Sequence, residues 1–319
     1  MAVLVTGSAG FIGFHLSKAL LEKREKVIGI DNINDYYSKK LKKDRNSILK
    51  KYENYIFYHD DVCNINKLKK IFSENQIEKI CHLAAQAGVR YSIENPHAYQ
   101  KSNIEGFTNI LEMGRQYDIK NFVFASSSSV YGRNKKIPYS EKDNVMNPIS
   151  FYGATKLANE LMAYSYHYLY KIPTCGLRFF TVYGPWGRPD MAYFKFTDKI
   201  IKGEKIDVYN HGKMKRDFTY IDDIIKGVIS SLEKSFNFEI FNLGNNKPEN
   251  LLKFIEILEK KIGKKANKKM LPMQSGDMEN TYADISKSKK LLGFQPKIDI
   301  EDGLGKFIEW YKNYYDINL

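Results

Sequence analysis

Apolar residues fall along this chain in two rhythms. Short, nearly continuous apolar runs occupy Ala2 to Thr6, Val27 to Asp31, Tyr55 to Tyr58, Ile80 to Ala84, Phe122 to Ala125 and Thr174 to Phe179, and helix-like stretches lie between them. Runs of this length read as strands buried on both faces. Strands alternating with helices build βαβ units, so residues 1–180 are expected to form a doubly wound parallel sheet with helices on both faces, a Rossmann-like α/β fold.

Beyond Phe180 the pattern loosens into loops marked by Gly and Pro, among them Tyr183-Gly184-Pro185-Trp186-Gly187-Arg188-Pro189. A strand is expected at Glu239 to Leu243 and amphipathic helices at Leu251 to Ile262 and Asp302 to Tyr315. This region is too broken for an independent sheet of comparable size. Residues 181–319 therefore read mainly as a smaller substrate-binding lobe, with segments around 215–245 returning to the first unit. Its expected seat is over the carboxyl ends of the strands, where open α/β sheets bind ligands. No internal repeat, low-complexity segment or flexible linker interrupts the pattern.

Length and charge narrow the picture. A chain of 319 residues with 43% hydrophobic content can bury a full core. Its 50 Lys and Arg against 37 Asp and Glu leave +13, concentrated in runs such as Lys39-Lys40-Leu41-Lys42-Lys43 and Lys260-Lys261-Ile262-Gly263-Lys264-Lys265. Those runs lack zinc spacings, aromatic RNA-binding motifs and basic heptads, so they read as solvated surface and no nucleic-acid partner is expected. Cys63, Cys81 and Cys175 form no CxxC pair, which fits a reducing cytoplasm. The chain opens on Ala2-Val3-Leu4-Val5 with no basic leader, and no apolar run approaches the ~18 residues of a membrane span. No membrane partner and no metal site are expected.

The first chemical motif is Gly7-Ser8-Ala9-Gly10-Phe11-Ile12-Gly13, which follows a strand and opens a helix with an apolar face of Phe11, Ile12, Leu16, Ala19 and Leu20. Glycines permit the tight turn and let backbone amides approach a pyrophosphate, which the positive helix N-terminus stabilises. The spacing is GxxGxxG, and alone such a loop is weak evidence, its alternative being a glycine turn with no ligand. The second strand ends at Asp31, where a carboxylate accepts hydrogen bonds from a ribose diol and repels a 2′-phosphate, favouring NAD over NADP. Asp61-Val62, after the third strand, suits the adenine; its alternative is an ordinary turn carboxylate.

The second motif is Tyr152-Gly153-Ala154-Thr155-Lys156, a YxxxK whose first and last residues share a helical face. An ammonium beside a phenol favours the phenolate, lowering the tyrosine pKa from ~10 toward working pH, as a general base requires. Upstream, the strand Phe122 to Ala125 runs into Ser126-Ser127-Ser128-Ser129, whose hydroxyls can reach both the phenol and a substrate oxygen. Glycine loop, acid, serine run and YxxxK occur in this order, which makes chance agreement of all four improbable.

Taken together, Gly7 to Gly13, His82 to Ser92, Ser126 to Gly132, Tyr152 to Lys156, Arg178 to Ala192 and Arg216 to Asp223 give the chain a resemblance to the extended short-chain dehydrogenases over nearly its whole length. It is most similar to UDP-glucuronate 4-epimerases, and Gly88 to Ser92 and Gly184 to Ala192 separate subfamilies best. The resemblance implies an NAD cofactor and a UDP-sugar substrate. Tyr152 is then the base, Lys156 orients it and the nicotinamide ribose, and Ser127 with Ser129 beside it completes the set; which of the four serines leads stays open. It implies further that Asn32, Leu83, Ala84, Ala85 and Asn103 join the glycine loop, Asp31, Asp61 and Val62 around the cofactor.

The implied reaction removes the O4 proton to Tyr152 and the C4 hydride to NAD, turns the 4-keto sugar over, and returns the hydride to its other face. Related dehydratases carry an acidic pair after the serine-position strand, where this chain has Ser128-Ser129, so dehydration is disfavoured. Related decarboxylases place a glutamate where this chain has Ser129. Ser129 and Thr181 are accordingly expected to hold the sugar carboxylate through neutral hydrogen bonds. Arg216 and Arg90 are candidate diphosphate partners, since guanidinium binds phosphate bidentately; Arg216 is the stronger, and the alternative for Arg90 is a surface residue. Arg188 is expected to close over the sugar, Asp277 to accept from a ribose hydroxyl and Tyr209 to stack near the uracil.

Rival readings share parts of this pattern. A UDP-glucose or UDP-N-acetylglucosamine 4-epimerase uses the same chemistry, but Thr181 replaces the Asn usual in UDP-glucose epimerases. A non-catalytic NAD-sensing protein typically loses the Tyr or the Lys, and both are present. The resemblance also implies a homodimer formed by two helices per subunit, near Asn103 to Tyr117 and Tyr152 to Tyr170.

Overall fold

The computed structural model describes residues 2–273 and 279–317. The first half runs β1 (Ala2–Thr6), α1 (Phe11–Glu22), β2 (Lys26–Ile30), α2 (Lys39–Leu49), β3 (Tyr55–Tyr58), α3 (Ile65–Glu74) and β4 (Ile77–His82). Two short turns, α4 (Tyr91–Glu94) and α5 (Pro96–Tyr99), lead through a π-helical turn at Gln100–Glu105 into α6 (Gly106–Gln116). Then follow β5 (Asn121–Ser127), α7 (Phe151–Tyr170), β6 (Thr174–Phe179), β7 (Thr181–Tyr183), α8 (Ala192–Lys202), β8 (Lys205–Val208), β9 (Lys215–Tyr220) and α9 (Ile221–Glu233). The chain continues with β10 (Phe238–Leu243), β11 (Pro248–Asn250), α10 (Leu251–Ile262), β12 (Asn267–Met270), β13 (Asn280–Thr281), α11 (Ser286–Leu292) and α12 (Ile300–Tyr315).

Seven strands pair in the order β10-β6-β5-β4-β1-β2-β3, all parallel. The connections wind outward in opposite directions from β1 and β4, which opens a crevice at the carboxyl edge between them. Register decides what faces that crevice. Thr6 lies opposite Ile30 on one side and His82 on the other, so Gly7, Asp31 and Leu83 leave the sheet side by side.

Alternation along the strands feeds two cores. Val3, Val5, Cys81 and Val123 pack with α1 and α9 on one face, while Leu4, Ile28, Ile80 and Phe122 pack with α3 and α6 on the other. At the first residue after β6 the chain leaves the sheet, and β7 pairs with β9, Thr181 opposite Phe218. Beyond it lie two small sheets, one of four strands in the order β11-β9-β13 with β7 also on β9, and one of two strands, β12 with β8. Asp217 binds this lobe internally, accepting from the amides of Asn245 at 2.5 Å, Asn246 at 3.0 Å and Ala283 at 2.9 Å. Burial nevertheless raises its pKa to about 6.

Two departures from the sequence pattern bear on the site. β5 runs two residues past Ala125, so Ser126 and Ser127 belong to the strand, and Ser128–Tyr131 form a separate 3₁₀ turn. α6 begins at Gly106 because the preceding Gln100–Glu105 turn is π-helical.

Candidate active site

The glycine loop is closed by contacts that admit no side chain. A Cβ on Gly13 would lie 2.0 Å from the Gly7 carbonyl oxygen, and one on Gly7, where φ is +70°, would lie 2.8 Å from the Ala84 amide nitrogen. The loop therefore folds onto itself and onto the end of β4. α1 starts behind Gly10 with no side-chain cap, leaving its first amides facing outward, the arrangement an anion requires.

Asp31 stands just past β2, its carboxylate accepting from the Ala9 amide at 3.1 Å and the Ile33 amide at 2.8 Å. Burial pushes its pKa up, opposed by those amides and by Lys42 and Arg45. Asn32 donates to Asp61 at 2.8 Å, joining the two loops expected around an adenosine. Burial works against the Asp61 charge, but the Cys63 amide and Asn32 outweigh it and hold the carboxyl below its ordinary value. Thr6 Oγ1 accepts from the amides of Leu83 and Ala84, both at 3.1 Å, and so fixes the chain after β4.

Helix α7 supplies Tyr152 and Lys156. Ser150 caps it, accepting from the Gly153 amide at 3.0 Å, which sets Tyr152 at the first turn. One turn beyond Lys156, the buried Glu160 pairs with Arg178 of β6 and accepts from Ser126 at 2.5 Å. Ser126 is thus committed to the scaffold. Ser127 accepts from the Ser129 amide at 3.2 Å, and its hydroxyl stands near enough to the Tyr152 phenol to favour the phenolate, which singles it out from the other serines.

Two expectations need correction. The Tyr152 pKa is raised by burial, with Ser127 and Arg188 opposing, and the buried Lys156 ammonium donates to the Ala125 carbonyl at 3.0 Å. Burial also lowers the Lys156 pKa to about 8. Asn103 does not form part of the cleft wall. Its amide is used between Gln86, whose N–H it accepts at 2.8 Å and whose carbonyl it reaches at 3.0 Å, and Thr155 at 3.0 Å. It braces the loop after β4 against α7.

One cleft of about 1090 Å³ gathers most of the remaining candidates. Gly7, Gly10, Phe11, Ile12, Gly13, Asp31, Asn32, Asp61, Val62, Leu83, Ala84 and Ala85 line its cofactor end, and Ser127, Ser128, Ser129, Tyr152 and Lys156 its middle. Thr181, Arg188, Arg90, Tyr209 and Arg216 line the far end. There the Arg90 guanidinium lies 4.9 Å from the Tyr209 ring centre, and Arg216 donates to the carbonyls of Lys215 and Glu279 at 3.0 Å. Asp277 lies outside the described residues.

Three further residues, Tyr36, Lys42 and Asp190, belong to the cleft wall without a motif role in the sequence. Asp190 holds Arg188 in an ion pair, Tyr36 donates to Asp190 at 3.3 Å, and Lys42 donates to Asn34 at 2.6 Å beside Asp31. The Asn34-Asp35-Tyr36-Tyr37 run after β2 was the available signal, since paired aromatics in a polar loop need a surface to cover. Among the described residues no cluster of His, Cys, Asp and Glu is arranged to hold a metal ion.

The model of the GDP-mannose 4,6 dehydratase family matches residues 4–307. Across 97% of its length the chain is 58% identical to an uncharacterized protein of Methanocaldococcus jannaschii, spanning 95% of that protein. It is 46% identical to UDP-glucuronate 4-epimerase 4 of Arabidopsis thaliana over 99% of the chain and 76% of the relative. The solved structure of UDP-glucuronic acid 4-epimerase from Bacillus cereus, in complex with UDP-glucuronic acid and NAD, superimposes with a TM-score of 0.92 at 37% identity, covering 99% of this chain and 100% of that one.

Proposed function

The chain belongs to the GDP-mannose 4,6 dehydratase family, and from that membership we propose that it is an NAD-dependent isomerase interconverting UDP-glucuronate and UDP-galacturonate at C4. The observation that carries this reading is the single cleft in which the Tyr152 and Ser127 pair faces both the uncapped α1 N-terminus and Arg188.

The residues present fit NAD. The Gly7 to Gly13 loop and the free amides of α1 suit a pyrophosphate, and Asp31 offers a ribose an acceptor while repelling a 2′-phosphate. Bound there, NAD supplies a reversible hydride acceptor for the sugar C4. Tyr152 takes the O4 proton with Ser127 as its hydrogen-bonding partner, and gives it back to the keto oxygen after the sugar has turned over. Lys156, with its lowered pKa, is positioned at the carboxyl end of β5 to orient the base and the nicotinamide ribose.

A 4-keto uronate is a β-keto acid prone to lose CO2. Ser129 and Thr181 hold its carboxylate through neutral hydroxyls, keeping that bond out of line with the carbonyl orbital. Thr181→Ala is then expected to release more pentose product; an unchanged product ratio counts against this role. Arg216 and Arg90 serve the diphosphate, Arg188 closes over the sugar and Tyr209 faces the uracil. Residues 1–180, with segments around 215–245, serve the cofactor, and 181–319 mainly the nucleotide sugar.

A homodimer is part of this proposal. On α7 the side chains of Leu161, Tyr164 and Tyr168 are 61%, 53% and 64% exposed along one helical stripe, with Leu169 and Tyr170 near its end. Light scattering should give twice the chain mass of 37.1 kDa, and Leu161→Glu should halve it. A cytoplasmic setting agrees with three unpaired cysteines. No helix among the described residues is long and apolar enough to cross a membrane.

The deciding experiment purifies the protein without added cofactor and incubates it separately with UDP-glucuronate, UDP-glucose and UDP-N-acetylglucosamine, resolving products by anion exchange. UDP-galacturonate formed without added NAD is the expected result. Turnover of a neutral sugar alone would overturn the carboxylate assignment.

A further inference from the structure

Arg45, on α2, is completely buried. Its guanidinium forms no ion pair among the described residues; four neutral oxygens surround it instead. Nη1 donates to the Ala9 carbonyl at 2.9 Å and the Tyr37 hydroxyl at 2.8 Å. Nη2 donates to the carbonyls of Trp186 at 2.6 Å and Gly187 at 3.0 Å, and Nε has no hydrogen-bond partner among the described residues. A buried cation is strongly disfavoured without a counter-charge, and carbonyl dipoles solvate it without neutralising it.

The four oxygens come from functionally distinct places. Ala9 belongs to the glycine loop, and Trp186 and Gly187 immediately precede Arg188. With its carbonyl drawn to Arg45, Ala9 is held with its N–H on Asp31, and the loop keeps its amides toward the cleft. The substrate-side loop is held a second time by His15, whose Nε2 hydrogen-bonds the Pro185 carbonyl at 2.9 Å. Burial keeps His15 neutral by lowering its pKa to about 4, so this second tie adds no charge. The other charged groups around Arg45 are Lys42 and Arg188 with Asp31, Asp35 and Asp190; Asp190 is taken up by Arg188, and among the described residues no carboxylate hydrogen-bonds the Arg45 guanidinium.

We propose that Arg45 is a positioning residue for the dinucleotide, a buried counter-charge behind the Gly7 to Gly13 loop whose electrostatic partner is the incoming pyrophosphate. It also fastens the loop carrying Arg188 to the cofactor loop. This rests on the NAD reading above and extends it to a residue outside the cleft wall.

The test measures NAD affinity directly, with no sugar present, by calorimetric titration of cofactor-stripped protein in low salt and in 0.5 M KCl. Arg45→Gln, which keeps donors but loses the charge, should weaken NAD binding at least tenfold. Arg45→Lys, which keeps the charge, should stay within about threefold of wild type. The gap should persist in high salt, because a buried charge is poorly screened. His15→Phe, which loosens the same loop without altering charge, should leave NAD affinity within twofold, and circular dichroism should show each variant folded. Equal affinity of Arg45→Gln and wild type, or equal losses in Arg45→Gln and Arg45→Lys, would overturn the proposal. Should Arg45→Gln fail to fold, Arg45→Lys decides alone, and a tenfold loss there overturns it. Wild-type protein that binds no NAD overturns this inference together with its premise, whereas NAD binding without sugar turnover overturns only the choice of substrate.

Discussion

Asp190 takes both arms of Arg188, with Nε at 3.0 Å from one carboxylate oxygen and Nη2 at 2.5 Å from the other. Tyr36 completes the cluster, donating to Asp190 at 3.3 Å, with the Arg188 guanidinium 6.0 Å from its ring centre. Bidentate pairing fixes the direction of the guanidinium as well as its charge. A substrate carboxylate or hydroxyl therefore meets an Arg188 that is already committed.

Asp190→Asn should release that commitment. The expected result is a fall of about tenfold in kcat/KM for UDP-glucuronate, ~1.4 kcal/mol of lost positioning, with a larger share of decarboxylated pentose product. Steady-state kinetics with product chromatography checks both, and unchanged values for the two would remove Asp190 from the mechanism.

Gly13→Ala places a methyl against backbone that has nowhere to go, 2.0 Å from the Gly7 carbonyl oxygen. Overpacking of this kind costs ~1–3 kcal/mol, which corresponds to about a five- to 150-fold loss of NAD affinity if the loop distorts to admit it. The ratio of absorbance at 260 and 280 nm after desalting reports the retained cofactor, and retention equal to wild type would show the loop to be more adaptable than its contacts suggest.

Glu160 and Arg178 form a buried pair, at 2.9 Å and 2.7 Å, that ties α7 to β6 one turn beyond Lys156. Removing one charge strands the other, so Glu160→Gln should lower stability by about 3–5 kcal/mol, and Glu160→Gln with Arg178→Met should recover part of it. Denaturant titration of the two variants decides; a double variant as unstable as the single one would assign the loss to packing.

Acid should loosen the site from below. The Thr6 hydroxyl accepts two amides and so directs its proton to His82 Nδ1 at 2.9 Å, which requires a neutral imidazole. Burial lowers the His82 pKa from 6.5 to about 3, so the unfolded chain binds the extra proton throughout that interval. Stability contributed by neutral His82 is present above 6.5 and lost as pH falls toward 3, by up to ~1.4 kcal/mol per pH unit. Asp217 works oppositely, since its pKa is raised from 3.8 to about 6 and the penalty for its charge is relieved on acidification through that window. Unfolding midpoints at about pH 7.5 and pH 5 should therefore converge in His82→Asn; an unchanged pH slope would place the acid sensitivity elsewhere.

The sequence by itself determined the strand order's raw material and the chemistry. Six buried apolar runs, the glycine loop, Asp31 and the YxxxK are local patterns, and local patterns are what a single chain displays. Tertiary structure decided which side chains are free to act. Of four adjacent serines, Ser126 is taken by Glu160 and Ser127 meets Tyr152, a choice made by the extension of β5 and the packing of α7. Asn103 turned inward because Gln86 and Thr155 satisfy its amide, and Lys156 found the Ala125 carbonyl where its charge had been expected to act on the phenol. Arg45 carried no motif at all, and Asp190 stood within the Gly184 to Ala192 stretch with no role attached to it. The Arg45 partners lie 36 and 141 residues away, and Tyr36 lies 154 residues from Asp190; only folding brings such groups together, because burial and hydrogen-bond satisfaction are properties of neighbours in space.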